Sequence, residues 1–238
     1  LSKIIQNEDV LIFISAKAPV KNNEMLMNNI IMSDNVTKSI KNINLSHLIY
    51  ISSDAVYSDF REKINENSCA SPTSLHGIMH ITRETMISNS FKGPKCFVRP
   101  TLIYGFNDPH NGYGPNKFLR ESSQNKDILL FGKGEELRDH VFIDDVIESI
   151  IKIILFKTIG IVNIVTGNVI SFYDIAKLVV KNTNSKSKII FIERSGEMPH
   201  GGYRAFNNGA LKKLFPDIKI HSLDEGLKKT IKFMNLSL

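Results

Sequence analysis

Short runs of β-branched and aromatic residues alternate with helical segments over the first 105 residues, and this alternation restricts the fold more than any other feature. The runs predict strands at 10–14, 48–51 and 95–99, and the segments between them predict helices at 22–43 and 73–90. Strand–helix–strand units connect through right-handed crossovers and form parallel sheets. The sequence therefore predicts an α/β fold with a parallel sheet.

Polar residues gather at the end of the second predicted strand and on the helix that follows it. Ser52–Asp54 come directly after the strand, where open parallel sheets bind their ligands. His76, His80 and Glu84 follow on the helix at intervals of four, which places all three on one face. We predict the functional site at this strand end and helix face.

Shorter elements follow a long loop at 106–115, and loops of that length are usually functional. The predicted elements are helices at 116–124, 146–157 and from 171 to about 181, strands at 128–131, 161–165 and 188–192, and a last helix that opens at Asp224. Asp144 and Asp145 are expected to cap the helix at 146–157.

The composition, with 42% hydrophobic and 23% charged residues, is that of an ordinary globular protein. A net charge of +6 fits an anionic small-molecule ligand and is too dispersed to indicate nucleic acid. The two cysteines, Cys69 and Cys96, lack metal-ligand spacing and favour a reducing compartment. Because neither a signal peptide nor a membrane span is apparent, we expect a cytoplasmic protein that binds neither nucleic acid nor membrane.

Five segments resemble, in chain order, the motifs of one protein family. They are Asn29–Ser33, Ser52–Tyr57, Arg99–Gly105, Arg138–Val146 and Leu223–Leu227, which resemble Asn-Val-x-Gly-Thr, Ser-Ser-x-x-Val-Tyr, Arg-Pro-x-x-Val-Tyr-Gly, Arg-Asp-Phe-x-x-Val-Asp-Asp-Val and Leu-Glu-Glu-Gly-Leu. These motifs belong to the extended short-chain dehydrogenase/reductases, which include the NAD-dependent sugar-nucleotide epimerases and dehydratases. Each motif alone is weak, but five in register over nearly the whole chain make the resemblance specific.

The resemblance implies an α/β fold with a doubly wound, mostly parallel Rossmann-type sheet and a smaller C-terminal α/β part that binds substrate. Residues 1–105 would form a partial NAD-binding Rossmann domain. Residues 106–238 would mainly bind a nucleotide-sugar, with segments at about 138–165 returning to the Rossmann core. The implied cofactor is NAD or NADP, and a homodimer is expected.

Two departures limit what the resemblance carries over. The family's Gly-x-x-Gly-x-x-Gly turn, which cradles the dinucleotide pyrophosphate at a helix N-terminus, is absent from this sequence. We therefore expect the chain to enter the fold after its first strands, with Leu1 as a truncation point. The family's Tyr-x-x-x-Lys is also replaced, because His76 takes the Tyr position and His80 the Lys position.

The resemblance implies that Ser53, His76 and His80 are the catalytic residues. Ser53 matches the Ser that hydrogen-bonds the substrate hydroxyl, and its alternative role is a strand-end cap, which fits Ser52 better. His76 could move protons, since an unperturbed imidazole has a pKa of roughly 6.5. His80 cannot copy a permanently charged Lys at neutral pH.

The resemblance also implies which residues contact the ligands. Cofactor contacts are expected from Ser15, Ala16, Lys17, Asn29, Ser52, His80, Arg99 and Pro100, and substrate contacts from Asp54, Ala55, Asn116, Arg138 and Arg204. A guanidinium fork suits two phosphate oxygens, so Arg138 is the leading candidate for the nucleotide diphosphate and Arg204 the second. The alternative for Arg138 is an ion pair with Asp139 or Asp144.

Two further positions have alternatives as well, since Asn116 could be a helix N-cap and Asn29 a surface residue. Three functions are considered for the chain. The leading one is NAD(P)-dependent epimerisation, dehydration or reduction of a nucleotide-activated sugar. The second is a non-catalytic or degenerate family member that binds a nucleotide-sugar without turnover, because the Tyr/Lys pair is replaced. The third is a structural or scaffold role, which would need a large exposed apolar patch. Separately, His76, His80 and Glu84 could form a metal site, but the family has a structural Glu there, so no metal is expected.

Overall fold

A computed structural model describes residues 3–59, 62–109 and 111–236, although not the side chains of 235 and 236. Its helices and strands are, in chain order, β1 (Val10–Phe13), α1 (Asn23–Ser39), β2 (His47–Ile51), α2 (Leu75–Ser90), β3 (Lys95–Pro100), β4 (Leu102–Tyr104), α3 (Pro115–Ser123), β5 (Ile128–Phe131), β6 (Leu137–Arg138), β7 (His140–Phe142), α4 (Ile143–Leu155), β8 (Gly160–Ile164), β9 (Ile170–Ser171), α5 (Phe172–Thr183), β10 (Ile189–Ile192), β11 (Tyr203–Arg204), α6 (Gly209–Leu214) and α7 (Leu223–Leu236). Short 3₁₀ turns lie at Asp54–Val56 and Pro199–Gly202.

The central sheet has the strand order β1-β2-β3-β8, and every neighbouring pair is parallel. Alternate residues of a strand point to opposite faces of the sheet. Tyr50 and Phe97 therefore pack with residues of α1 and α2 in one core cluster, whereas Ile49 and Cys96 pack with residues of α4 and α6 in another. Helices cover both faces, so the predicted α/β fold with a mostly parallel, doubly wound sheet is confirmed.

The second half of the chain forms smaller sheets beside this one. β5 pairs with β10 and β4 with β7, both in parallel, while β6 lies between β11 and β9. Phe118 of α3, Phe142 of β7 and Phe172 of α5 share a buried cluster with Leu227 of α7. The division into two domains stays a prediction. Within the described ranges, no helix combines the length and the apolar character that crossing a bilayer requires.

The start of α4 differs from the sequence prediction for a physical reason. The helix begins at Ile143, directly after Phe142, so Asp144 and Asp145 lie in its first turn and do not cap it. Asp145 is buried and accepts hydrogen bonds from the backbone N–H and a ring nitrogen of His221, at 2.9 and 2.5 Å. Because His221 lies 76 residues after Asp145, no local sequence pattern indicates this contact.

Candidate active site

A cleft of about 840 Å³ opens at the carboxyl ends of β1, β2 and β3, where parallel sheets bind their ligands. The predicted site residues that line it are Ala16, Ser52, Ser53, Asp54, Ala55, His76, His80, Pro100, Asn116, Arg138 and Arg204. Four predicted residues, Ser15, Lys17, Asn29 and Arg99, do not line it. The cleft therefore contains the three residues predicted to be catalytic and the five predicted to contact substrate.

The two serines after β2 have separate roles, and the sequence analysis gave the cap to the wrong one. Ser53 is the N-cap of the turn at Asp54–Val56, where its Oγ accepts a hydrogen bond from the backbone N–H of Ala55 at 3.1 Å. Ser52 is buried, and its Oγ donates to Oε1 of Glu84 at 2.5 Å. Successive residues of an extended chain point to opposite sides, so only Ser52 reaches α2.

Glu84 belongs to a buried ion pair, which leaves it unavailable as a metal ligand. Its carboxylate accepts hydrogen bonds from Nε of Arg99 at 2.9 Å and from Nη2 at 2.5 Å, in addition to the one from Ser52. Arg99 also stacks on the ring of Tyr57, at 4.8 Å from its centroid. The structure thus places Arg99 inside the fold, although we had expected it to contact a cofactor. In the described part of the chain, no three His, Cys, Asp or Glu side chains could hold a metal ion together.

His76 and His80 lie one turn apart on α2, with their ring centroids 4.7 Å apart in an edge-to-face arrangement. Burial lowers the pKa of His76, and the charge of Asp54 opposes part of that change. Burial lowers the pKa of His80 to about 3, with the nearby His76 and Arg83 acting in the same direction. Both imidazoles are therefore neutral at neutral pH, and His80 offers no positive charge to a ligand.

His80 has a partner that the sequence analysis missed. The hydroxyl of Tyr50, on β2, lies 2.7 Å from Nδ1 of His80. Tyr50 is fully buried between the rings of Phe13 and Phe97. A tyrosine within an apolar strand is usually a core residue, so this pattern held no sign of a polar contact.

Asn29 and Arg83 fix the segment that follows β1. Asn29 is fully buried, with its Oδ1 accepting from the N–H of Lys17 at 3.0 Å and its Nδ2 donating to the carbonyl of Lys17 at 2.9 Å. Arg83 donates to the carbonyls of Ser15 at 2.9 Å and Asn29 at 3.0 Å. The surface position considered for Asn29 is therefore wrong. Ser15, Lys17 and Asn29 hold Ala16 in place at the cleft wall.

Arg138 and Arg204 line the cleft, and both are surrounded by acceptors. Arg204 donates to Oδ2 of Asp54 at 3.0 Å, to the carbonyl of Asp54 at 2.6 Å and to Oδ1 of Asp59 at 2.6 Å. Arg138 donates to Oε2 of Glu136 at 2.8 Å and to the backbone carbonyl of Pro199 at 2.5 Å. Burial lowers the pKa of Arg138, although a guanidinium remains charged in proteins.

Glu136 and Arg194 belong to this side of the site, and sequence reasoning missed both. Glu136 is buried between Arg138 and Arg194 and forms an ion pair with each. The ion pair considered for Arg138 therefore exists, but its partner is Glu136 and neither Asp139 nor Asp144. Residues two apart on an extended chain lie on the same side, and that spacing was the available signal.

Asp59 and His200 also line the cleft and were missed. Nδ1 of His200 lies 2.5 Å from Oδ1 of Asp59, across a long separation in sequence. Asn116 lies one residue inside α3, whose N-cap is Gly114, so the N-cap considered for it is wrong. Its Oδ1 accepts from the N–H of Gly105 at 3.1 Å and joins the two ends of the long loop.

The residues of this chain fit one end of a dinucleotide. Ala16, Ala18, Pro19 and Pro100 line the cleft together with His80, and small or apolar side chains of this kind can pack against a flat ring. The sequence holds no Gly-rich turn that would present backbone N–H groups to a pyrophosphate. The chain therefore offers contacts for the nicotinamide end of NAD and no phosphate cradle of the usual kind.

Comparison with known proteins identifies related enzymes. The model of the NAD dependent epimerase/dehydratase family matches residues 14–164. A dTDP-D-glucose 4,6-dehydratase of Dictyostelium discoideum is 28% identical over 203 residues, covering 76% of this chain. A UDP-N-acetyl-alpha-D-glucosaminuronate decarboxylase of Bacillus cytotoxicus is 30% identical over 148 residues, covering 59% of this chain. The chain spans 46% of the length of each of these two relatives.

A solved structure supports the same fold. The UDP-glucuronic acid 4-epimerase of Bacillus cereus, in complex with UDP-glucuronic acid and NAD, superimposes with a TM-score of 0.87 at 22% identity. The match covers 100% of this chain and 78% of that one. The matched family is one of epimerases and dehydratases, and the two relatives are named as a dehydratase and a decarboxylase, so the alternative of a non-catalytic nucleotide-sugar binding protein receives no support from them.

Proposed function

Because this chain belongs to the NAD-dependent epimerase/dehydratase family, we propose that it supplies the substrate-binding and proton-transferring residues of an enzyme that epimerises or dehydrates a nucleotide-activated sugar. The observation that carries the proposal is the single cleft shared by Ser53, His76 and the two arginines Arg138 and Arg204. Ser53 and His76 suit a sugar hydroxyl, and the two arginines suit a diphosphate.

Ser53 and His76 act on the proton of a sugar hydroxyl. The Oγ of Ser53 accepts from the N–H of Ala55 at 3.1 Å, and its O–H makes only a long contact of 3.4 Å with Oδ1 of Asp54. The hydroxyl oxygen of the substrate replaces that weak acceptor. Neutral His76 takes the hydroxyl proton as general base, and its lowered pKa keeps it in the base form at neutral pH. The carboxylate of Asp54 stabilises the imidazolium that results. The same imidazolium returns the proton when the reaction reverses.

Arg138 binds the diphosphate. Glu136 is one carboxylate shared by two guanidinium groups, those of Arg138 and Arg194, so this trio carries a net positive charge. Arg204 has two carboxylate partners, Asp54 and Asp59, and an anionic ligand would have to compete with both. Arg138 is therefore the stronger phosphate ligand, and Arg204 mainly shapes the cleft.

NAD, when bound, supplies the hydride acceptor and donor for this chemistry. Ala16, Pro100 and His80 would contact its nicotinamide end. Since the sequence lacks a phosphate-binding turn, we expect residues 1–238 alone to bind NAD more weakly than micromolar, as measured by calorimetry. The assembly as a homodimer and the cytoplasmic location stay predictions.

The proposal is tested with a panel of UDP- and dTDP-linked sugars, since the relatives named above act on sugars of these two kinds. Each sugar nucleotide is incubated with NAD and the full-length protein, and the products are identified by mass spectrometry and NMR. An isomerised or dehydrated sugar that disappears in the His76→Gln variant is the expected result. Binding of a sugar nucleotide without any conversion at saturating NAD would refute the enzymatic proposal.

A further inference from the structure

Tyr50 and His80 form a buried contact that the proposed proton transfer does not use. The hydroxyl of Tyr50 lies 2.7 Å from Nδ1 of His80, and the two ring centroids are 5.9 Å apart. Both side chains are almost completely buried, at 0% and 6% exposure. A hydrogen bond held in such surroundings is stronger than in water, because no solvent competes for either partner.

The geometry decides which atom carries the hydrogen. The Tyr50 hydroxyl has two acceptors in reach, Nδ1 of His80 at 2.7 Å and the sulfur of Met79 at 4.0 Å. A thioether sulfur is a weak acceptor, and 4.0 Å is a long contact, so the hydroxyl donates to His80. Nδ1 is then an acceptor and holds no proton.

The other ring nitrogen faces a different environment. His80 lines the cleft, and among the residues that the structure describes its ring makes one hydrogen bond, that of Nδ1 with the Tyr50 hydroxyl, so Nε2 has no partner there. In a neutral imidazole, one nitrogen carries the proton while the other accepts. Because Nδ1 accepts from Tyr50, Nε2 must carry the proton and can donate it to a ligand in the cleft.

We propose that Tyr50 is a positioning residue that holds His80 as its neutral Nε2–H tautomer, so that His80 presents an uncharged hydrogen-bond donor to a hydroxyl-bearing ligand in the cleft. The role toward a ligand rests on the proposed function, whereas the tautomer does not. Ribose hydroxyls of a dinucleotide and hydroxyls of a sugar both have the chemistry that such a donor recognises. A charged ammonium would bind the same oxygens with less dependence on direction. With a neutral donor at His80, binding therefore depends more on where the ligand hydroxyl lies than on charge.

The tautomer is measured by NMR on ligand-free protein labelled with ¹⁵N-histidine, with the His80 signals assigned from the His80→Gln variant. At neutral pH, we expect an unprotonated Nδ1 with the shift of a hydrogen-bond acceptor and a protonated Nε2. In Tyr50→Phe, the Nδ1 signal should move to the position of a free nitrogen or split between tautomers. A protonated Nδ1 in the wild type, or unchanged His80 signals in Tyr50→Phe, would overturn the inference.

Tyr57→Phe is the matched control, because the Tyr57 hydroxyl also makes a buried hydrogen bond, to Oδ1 of Asn163 at 2.8 Å. It should leave the His80 signals where they are. If Tyr50→Phe fails to fold, the wild-type tautomer alone still decides the question.

The donor role is tested with two amides at position 80. A Gln amide nitrogen can lie near the position of Nε2, whereas the shorter Asn cannot reach it. His80→Gln should therefore keep the wild-type KM values for NAD and for the sugar nucleotide. His80→Asn should raise the KM of the ligand that His80 binds by roughly tenfold, the value of one hydrogen bond. Equal KM values would refute the donor role. A protein that converts no sugar nucleotide, yet shows Nε2–H at His80, would refute the proposed function and leave the tautomer assignment standing.

Discussion

The cleft has two groups of polar residues that differ in how the fold treats charge. His76 and His80, the histidine pair on α2, are kept neutral by burial. Arg138 and Arg204, the arginine pair, are buried like His80 and more deeply than His76, and their charges are compensated by the carboxylates and carbonyls that surround them. The fold therefore keeps the imidazoles uncharged in one group and holds guanidinium groups beside compensating acceptors in the other.

This difference has an energetic consequence. A buried charge is tolerated only with a partner, and removing one partner leaves the other uncompensated. A neutral imidazole needs no counter-charge, so its loss costs mainly hydrogen bonding and packing. Variants of the arginine pair should therefore affect stability more than those of the histidine pair, unless a charge is introduced among the histidines.

The largest effect is expected for Arg204→Ala, which removes a side chain that donates to two aspartate carboxylates and two backbone carbonyls. The loss should lower the free energy of unfolding by about 3–5 kcal/mol, the range for breaking a buried pair. Urea unfolding measures it, with Lys228→Ala as control, since Lys228 forms an exposed pair with Asp224. A loss no larger than that of the control would show that the two groups do not differ as described.

Arg138→Ala should weaken binding of a nucleoside diphosphate by about 1.5–3 kcal/mol, the range for hydrogen bonds to charged groups. Calorimetry with UDP measures the change. Lys152→Ala is the matched control, because Lys152 pairs with Asp217 away from the cleft. If both variants bind UDP as the wild type does, Arg138 is a structural ion-pair residue.

His80→Lys should destabilise the protein by roughly 1–3 kcal/mol, because it places an ammonium in a buried position near the Arg83 guanidinium. His80→Met removes the same contact with Tyr50 without adding a charge and is the reference. Urea unfolding of the two variants isolates the cost of the charge. Equal stability would mean that the histidine pair tolerates a cation at position 80.

Some of this site could be predicted from sequence and some could not. The spacing of four between His76 and His80, and the position of Ser53 after a buried strand, were sufficient to place all three in one cleft. The motif resemblance was sufficient for the fold. These predictions rely on local periodicity and on the rule that parallel sheets bind ligands at their carboxyl ends.

The predictions that were wrong or missing concern contacts between residues that lie far apart in the sequence. Ser52 and Ser53 are neighbours of the same type, and only the position of Glu84 decides which is buried and which caps the turn. Arg204 meets Asp54 across 150 residues. Tyr50 looks like any apolar strand residue until α2 brings His80 to its hydroxyl.

The central claim is that His76 accepts a proton as a neutral base, and the pH dependence of turnover tests it most directly. Burial lowers the pKa of His76, so the base form should persist below the ordinary histidine pKa of roughly 6.5. Hydride transfer by the full-length protein, measured from about pH 5 to pH 9, should rise with pH through one ionisation below that value and then level off. The His76→Gln variant should show no such ionisation and almost no turnover. A wild type whose turnover falls as pH rises through this range, or a His76→Gln variant as active as the wild type, would contradict the account.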